Sequence, residues 1–253
     1  MTAPLASRLA IVTGGGRGIG AACARRLAAD GYAVLIGYAA DAEAAISVVA
    51  GIVTAGGQAW AHHCDVAEET DVLGLFAFAD TLGHPLRLLV NNGGITAGVS
   101  RVDQVTAATL ARVLAVNVTG TFLCAREALL RMSTRHGGQG GVIVNVGSRA
   151  AALGGPGEWV HYAASKGAVE TATVGMAREV ATEGVRVNCV SPGLIETDIH
   201  ATNGEPDRVA RMAPLIPMRR GGSAAEVADA VAWLASPGAS YVTGIVVPVS
   251  GGR

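Results

Sequence analysis

Short apolar runs alternate along this chain with longer segments in which apolar residues recur at helical spacing. The runs are rich in β-branched residues or leucine and end at Gly, Asn, Asp or Pro, as buried strands do. They predict seven strands: RLAIVTG, YAVLIGY, QAWAHHCD, LRLLVNN, GVIVNVGS, VRVNCVSPG and GIVVPVSGG. The segments between them predict helices at about 18–29, 41–55, 68–82, 106–132, 161–182 and 224–235.

The strict alternation of strands and helices decides the expected fold. Right-handed crossovers between such units give a parallel sheet, so we predict a doubly wound α/β Rossmann fold, a seven-stranded parallel sheet with helices on both faces. No linker divides the 253 residues, which predicts one domain over 1–253 with a substrate loop at about 194–222. Within that loop His200, Asn203 and Glu205 either contact substrate hydroxyls or face water.

Composition narrows the range of partners. Half of the residues are hydrophobic and 15% are charged, which excludes a disordered chain and fits a large core. A net charge of -1 offers no basic surface for nucleic acid or a membrane, so a small-molecule partner is expected. Scattered cysteines predict reduced thiols in the core of a cytoplasmic protein. No cationic leader and no apolar stretch of the roughly 18 residues that a membrane span needs are seen in the sequence, which supports the same expectation.

The segment TGGGRGIG, residues 13–20, follows the first predicted strand and precedes the first predicted helix. Gly14, Gly18 and Gly20 permit a tight turn and let backbone amides and a helix N-terminus approach a pyrophosphate. A glycine-rich loop alone also occurs in methyltransferases and in purely structural turns. Its place at the first strand-to-helix turn favours dinucleotide binding.

The end of the second predicted strand bears on which dinucleotide binds. An NAD site usually carries an acid there for the ribose 2′-hydroxyl, but this chain has Tyr38. Asp41 is the rival acid, yet its position is that of a helix N-cap. Arg17 either pairs with a 2′-phosphate or is a solvated loop charge. These residues favour NADP(H), with NAD(H) as the alternative.

Tyr162 and Lys166 lie four positions apart in HYAASKG and therefore share one face of a helix. Tyrosine, with an ordinary pKa of about 10, needs help to act near neutrality, and a nearby ammonium lowers that pKa. Such a pair alone is commonly a solvated helix edge. Ser148 at a strand end and Asn117 in an apolar helical run strengthen the catalytic reading, although a cap and a local backbone bond would also explain them.

Two further segments carry weaker signals. LVNNGG, with Asn91 and Asn92, ends a strand and either contacts a cofactor or holds the rim of the sheet. HHCD, residues 62–65, offers His, Cys and Asp, but adjacent strand residues point to opposite faces and a zinc site needs about four ligands. No metal site is predicted.

Taken in order, these motifs closely resemble the short-chain dehydrogenase/reductase family over essentially the whole chain. The pattern TGxxxGxG is followed by CDV at 64–66, NNGG at 91–94, the Asn, Ser, Tyr and Lys set, and SPGLIETD at 191–198. Within the family the chain looks most like the sugar dehydrogenases and the 3-oxoacyl carrier-protein reductases.

The resemblance implies hydride transfer between a nicotinamide cofactor and a carbonyl or alcohol of a small substrate. Tyr162 would be the general acid/base, Ser148 would hold the substrate oxygen, Lys166 would bind the nicotinamide ribose and lower the Tyr162 pKa, and Asn117 would help to place a proton-relay water. Cofactor contacts are expected at Gly14, Gly16, Arg17, Gly18, Ile19, Gly20, Tyr38, Asp65, Val66, Asn92, Gly93, Tyr162, Lys166, Pro192, Gly193, Ile195 and Thr197. The resemblance also implies a homo-oligomer, commonly a tetramer.

Two other functions stay open at this point. A non-catalytic NAD(P)-binding regulator would keep the fold, but it would not need an intact proton-transfer set. An epimerase or dehydratase with tightly held NAD resembles longer chains with an added substrate domain, and this sequence shows no such addition.

Overall fold

A computed structural model describes residues 8–197 and 207–253. The main sheet consists of β1 (Arg8–Thr13), β2 (Tyr32–Tyr38), β3 (Ala59–His63), β4 (Leu86–Asn91), β5 (Gly141–Val146), β6 (Val185–Pro192) and β9 (Val246–Val249). The strands follow one another across the sheet in the order β3-β2-β1-β4-β5-β6-β9, and every neighbouring pair is parallel. The predicted seven-stranded parallel sheet is confirmed.

Helices cover both faces of this sheet. They are α1 (Gly18–Ala29), α2 (Ala42–Thr54), α3 (Glu69–Thr81), α4 (Ala107–Leu114), α5 (Gly120–Met132), α6 (Ala150–Leu153), α7 (Val160–Val180), α8 (Arg208–Met212) and α9 (Ala224–Ala235). One core cluster packs α1, α2 and α9 on one face, and a second packs α3, α5 and α7 on the other. Successive strand residues point to opposite faces, so Val12 belongs to the first cluster and Ile11 to the second.

The predicted helix over 106–132 is interrupted. After α4 the chain forms a π-helical turn, Ala115–Thr119, before α5 begins. Asn117 lies at the centre of this turn and is fully buried. A π turn is wider than an α turn and often marks a functional site, and hydrophobic periodicity does not reveal it.

The strand order reverses between β1 and β4. The chain moves outward from β1 to β2 and β3, then returns to the other side of β1 as β4. The carboxyl ends of β1 and β4 therefore stand side by side, which is where doubly wound folds bind ligands. Thr13 Oγ1 joins the two ends by accepting from the backbone N–H groups of Asn92 and Gly93, at 3.1 and 2.9 Å.

The predicted substrate loop is described only in part. Its ends contain a short parallel pairing of β7 (Ile195–Glu196) with β8 (Gly222–Ser223), and α8 lies between them. The candidate residues His200, Asn203 and Glu205 lie outside the described residues.

Two composition-based expectations have different outcomes. All four cysteines are unpaired and buried, so the prediction of core thiols is confirmed. The expectation that no apolar stretch is long enough to span a membrane is wrong. The helical segment Ala107–Met132 is long and apolar enough, by length and composition alone. Core helices pass the same test, and Cys124, Ala125 and Ala128 of this segment are buried in the second core cluster.

Candidate active site

A cavity of about 890 Å³ lies at the carboxyl ends of β1, β4, β5 and β6. Of the residues expected at the site, all line this cavity except Gly20 and Asn117. The lining members are Gly14, Gly16, Arg17, Gly18, Ile19, Tyr38, Asp65, Val66, Asn92, Gly93, Ser148, Tyr162, Lys166, Pro192, Gly193, Ile195 and Thr197. The fold thus gathers residues from distant parts of the chain around one space.

The glycine turn presents its backbone to the cavity. Gly14 and Gly18 have φ angles of 62° and 51°, in the left-handed region that favours glycine. Helix α1 begins at Gly18 with neither a capping side chain nor an acidic residue in its first turn. Its first N–H groups and the positive end of its dipole therefore suit an anion such as the pyrophosphate of a dinucleotide.

Gly20 lies behind this turn and does not form part of the cavity wall. A Cβ on Gly20 would overlap Gly14 O and would stand 2.5 Å from Asn92 Nδ2. Asn92 Nδ2 donates to the carbonyl oxygens of Thr13 and Gly14, at 2.9 and 3.0 Å. The missing Cβ of Gly20 therefore leaves room for the Asn92 side chain, whose amide holds the backbone of the turn. These hydrogen bonds fit the alternative that Asn92 holds the rim of the sheet.

Arg17, Tyr38 and Asp41 line the same cavity close to the end of β2. Asp41 Oδ1 accepts from the Ala44 N–H at 2.9 Å, so the prediction that Asp41 caps a helix is confirmed. Arg17 is exposed, and no carboxylate in the described part of the chain pairs with it. The Asp41 carboxylate is thus used as a helix cap, whereas the exposed Arg17 side chain can contact a ligand.

Asp65, after β3, is held by an arginine that no sequence motif marked. Arg112, on α4, donates to Asp65 Oδ2 at 2.6 Å, and Asp65 Oδ1 accepts from the Ala67 N–H at 3.0 Å. Burial raises the pKa of Asp65, but the Arg112 and Ala67 hydrogen bonds outweigh it, so the pKa is lowered overall. Asp65 is therefore an ionised, oriented acceptor in the cavity wall.

Tyr162 and Ser148 form a hydroxyl pair within the cavity. Both side chains line the cavity, and Ser148 Oγ accepts from the Ala150 N–H at 3.1 Å. Burial raises the pKa of Tyr162, and the hydrogen bond with Ser148 acts against that rise. Tyr162 accordingly holds its proton at neutral pH and can donate it to an oxygen atom bound beside the pair.

Lys166 is buried next to Tyr162. Its Nζ lies 5.8 Å from the centroid of the Tyr162 ring and donates to the carbonyl oxygen of Val146 at 2.7 Å. Burial lowers the pKa of Lys166 to about 8. In this structure burial sets the direction of the Tyr162 pKa and the Lys166 ammonium donates to Val146, so the lowering of the Tyr162 pKa by Lys166 stays a prediction.

Asn117 lies behind the cavity wall, where its side chain makes three hydrogen bonds. Its Oδ1 accepts from the Ile95 N–H at 2.8 Å, and its Nδ2 donates to Ile95 O and to Ser165 Oγ, both at 2.9 Å. These bonds tie the loop after β4 to α7, the helix that carries Tyr162 and Lys166. Asn117 is therefore placed to position that helix.

The cavity lining also contains residues that sequence reasoning missed. Arg208, on α8, donates to both carboxylate oxygens of Glu158, at 3.1 and 2.5 Å, and lies 4.3 Å from the centroid of the Trp159 ring. Leu153 and Met212 add apolar surface to the same lining. The sequence indicated only that Arg208 lies inside the predicted substrate loop. Its ion pair with Glu158 joins residues 50 positions apart, and such a contact leaves no periodic pattern in the sequence.

Comparison with known proteins agrees with this geometry. A family model described as enoyl-(acyl carrier protein) reductase matches residues 14–253. The uncharacterized oxidoreductase YgfF of Escherichia coli (strain K12) is 51% identical over 245 residues, covering 97% of this chain and 99% of the relative. The chain belongs to the short-chain dehydrogenase/reductase family.

Two other members of the short-chain dehydrogenase/reductase family illustrate its range. The 3-oxoacyl-[acyl-carrier-protein] reductase of Synechocystis sp. is 38% identical, covering 100% of this chain and 98% of the relative. A solved short chain dehydrogenase from Burkholderia cenocepacia J2315, in complex with NADP, is 36% identical with a TM-score of 0.88, covering 99% of each chain. The present short-chain dehydrogenase/reductase is thus an oxidoreductase with the family's fold along its length.

Proposed function

We propose that this oxidoreductase interconverts a carbonyl and an alcohol on a small substrate with NADP(H), and that Tyr162 is its general acid/base. The observation that carries the proposal is that Tyr162, Ser148 and Lys166 line the same cavity as the glycine turn. The cofactor, when bound, supplies the hydride for reduction or accepts it in oxidation. During reduction the Tyr162 O–H donates its proton to the substrate oxygen, and the Ser148 hydroxyl holds that oxygen.

The part of the cavity lining around Trp159 favours substrates with an apolar body. Leu153, Trp159 and Met212 offer apolar surface there, while the charges of Arg208 and Glu158 neutralise each other. A paired arginine attracts an anionic substrate weakly, because its charge is already compensated. Neutral ketones and aldehydes are therefore the expected substrate class.

The direct test measures NADPH consumption across a panel of diketones, aldehydes, ketoacyl thioesters and sugars. We expect turnover with at least one neutral carbonyl compound and slower turnover with charged analogues of the same size. Saturable NADPH binding without turnover on any member would count against the enzyme and for the non-catalytic regulator.

The cofactor preference can be tested at Arg17. Arg17→Ala is expected to weaken NADPH binding by about 10- to 100-fold, because a charge-assisted hydrogen bond to the 2′-phosphate is worth about 1.5–3 kcal/mol. The Kd for NADH should change little, since NADH lacks that phosphate. Fluorescence titration of both cofactors measures the two constants.

Arg25→Ala is the matched control for this variant, because Arg25 is an exposed arginine on α1 outside the cavity lining. It should leave both Kd values unchanged. The complex of the Burkholderia relative with NADP supports the preference. Tighter binding of NADH than of NADPH by the native chain would overturn it.

We further propose a single domain, a cytoplasmic location and a homo-oligomer that forms through the outer face of α4 and α5. Leu110, Leu114, Phe122 and Leu130 are exposed large apolar side chains on these helices, as expected of a protein contact. The four buried free thiols support a reducing compartment. Light scattering should give the mass of a tetramer, and a monomer mass would contradict the proposed homo-oligomer. Two separate unfolding transitions would contradict the proposed single domain.

A further inference from the structure

Glu170 extends the helix face that carries Tyr162 and Lys166. The three residues follow one another at intervals of four on α7, so their side chains share one side of the helix. Ser191 Oγ, on β6, donates to Glu170 Oε1 at 2.8 Å, and Ser191 is only 1% exposed. The carboxylate is thereby held against the sheet, on the side of α7 that faces the site.

Gly147 leaves the space that this carboxylate occupies. A Cβ on Gly147 would stand 2.9 Å from Glu170 Oε1 and 2.9 Å from Cys189 Sγ. Gly147 does not have a positive φ, so its backbone conformation does not require glycine. The close approach of the Glu170 carboxylate and the Cys189 thiol therefore accounts for the glycine between β5 and Ser148.

The negative charge near Lys166 comes from Glu170. Burial lowers the pKa of Lys166 to about 8, and Cys189 and Glu170 oppose this lowering. Burial also raises the pKa of Cys189 to about 12, so this thiol is neutral at pH 7 and contributes no charge. Of Cys189 and Glu170, Glu170 is therefore the residue that can carry a negative charge beside Lys166.

The other elements around Lys166 present no second anion among the described residues. Positions next to Nζ are occupied by the backbone of Gly94 and by the amide of Asn117, because a Cβ on Gly94 would lie 3.3 Å from Nζ and 3.2 Å from Asn117 Oδ1. Strand β5 offers the carbonyl oxygen of Val146. Tyr162, with its raised pKa, keeps its proton.

We propose that Glu170 is a positioning residue that keeps the ammonium of Lys166 charged, and that Gly147 provides the space for it. This role rests on the proposed function, in which Tyr162 is the general acid/base, and on the role that the family resemblance implies for Lys166 as a cation beside it. A neutral Lys166 amine does not stabilise a Tyr162 phenolate, so loss of the Glu170 charge narrows the active pH range from the alkaline side.

A property of the sequence makes the proposal directly measurable. Lys166 is the only lysine, because 18 of the 19 Lys and Arg residues are arginine. Protein labelled with carbon-13 at the lysine Cε therefore shows one side-chain resonance, whose pH titration reports Lys166 alone. The native midpoint should lie at about 8. Glu170→Gln should lower it by about 0.5 to 1 pH unit, because an adjacent opposite charge is removed.

Two further variants control this measurement. Glu179→Gln removes an exposed carboxylate farther along α7 and should leave the midpoint unchanged. Gly147→Ala keeps Glu170 in the chain but forces its carboxylate away, so the midpoint should again fall. If Glu170→Gln does not fold, the lysine midpoint of Gly147→Ala still tests the role of Glu170. A native midpoint in Gly147→Ala, or in folded Glu170→Gln, would overturn the proposal.

Enzyme kinetics separate this role from the proposed function. In Glu170→Gln the alkaline limb of the kcat profile should move to lower pH together with the lysine midpoint, and kcat should approach the native value at acidic pH. An unshifted titration in an active enzyme would overturn only the role of Glu170. Absence of turnover in every variant and in the native chain would instead contradict the reductase function, while the titration would still report the coupling.

Discussion

Replacing Tyr162 with phenylalanine is expected to lower kcat by about 10²- to 10⁴-fold, the range that a positioned proton donor contributes. The substitution removes the hydroxyl on which Ser148 acts and keeps the ring whose centroid lies 5.8 Å from Lys166 Nζ. Binding of NADPH should therefore remain close to native. The measurement is steady-state turnover on the best carbonyl substrate, with a separate cofactor titration.

Tyr241→Phe is the control for this loss, because Tyr241 is fully exposed and loses the same hydroxyl outside the cavity. Its kcat should equal that of the native chain. The Tyr162→Phe protein should also lose about 1 kcal/mol of unfolding free energy, the usual net worth of one hydrogen bond. Native turnover in that variant would show that another group supplies the proton.

Gly20→Ala is expected to raise the Kd for NADPH by about 100-fold or more and to lower the free energy of unfolding by about 1–3 kcal/mol, as overpacking of a tight site does. The added Cβ would overlap Gly14 O, a backbone atom, and press on Asn92 Nδ2. The turn must then open and lose the Asn92 bonds to Thr13 and Gly14. Denaturant unfolding and cofactor titration measure the two effects.

Gly51→Ala gives the matched comparison. Gly51 is exposed within α2, and a Cβ there would meet no atom within 4 Å. That variant should be stabilised by about 0.5–1 kcal/mol, because alanine is a better helix former than glycine, and it should bind NADPH normally. If Gly20→Ala also retained native NADPH affinity, the turn would not depend on the space beneath it.

Much of the fold follows from patterns that are local in sequence. The helix predicted over 18–29 is observed as Gly18–Ala29, and that over 224–235 as Ala224–Ala235. In both cases the apolar period lies within the segment, and the residues that cap the helix are its immediate neighbours in the chain. The five central strands β1, β2, β4, β5 and β6 were equally visible, because strands buried on both faces are apolar along nearly their whole length.

The π-helical turn shows where such reasoning ends. Asn117 makes its side-chain bonds with Ile95 and Ser165, which are 22 and 48 positions away in the chain. A polar residue within an apolar run indicates that some partner exists, but it does not identify the partner. The interruption of the helix over 106–132 was therefore not predictable from its own residues.

The sequence by itself determined the order of strands and helices, the glycine turn, and the spacing of Ser148, Tyr162 and Lys166, because each depends on residue types at short range. Only the tertiary structure decided which charges meet: Arg112 with Asp65, and Arg208 with Glu158. It also decided that the pKa of Tyr162 is raised. The sequence shows which ionisable groups are present. Their pKa values depend on burial and on charged neighbours, and both arise only when distant segments of the chain pack together.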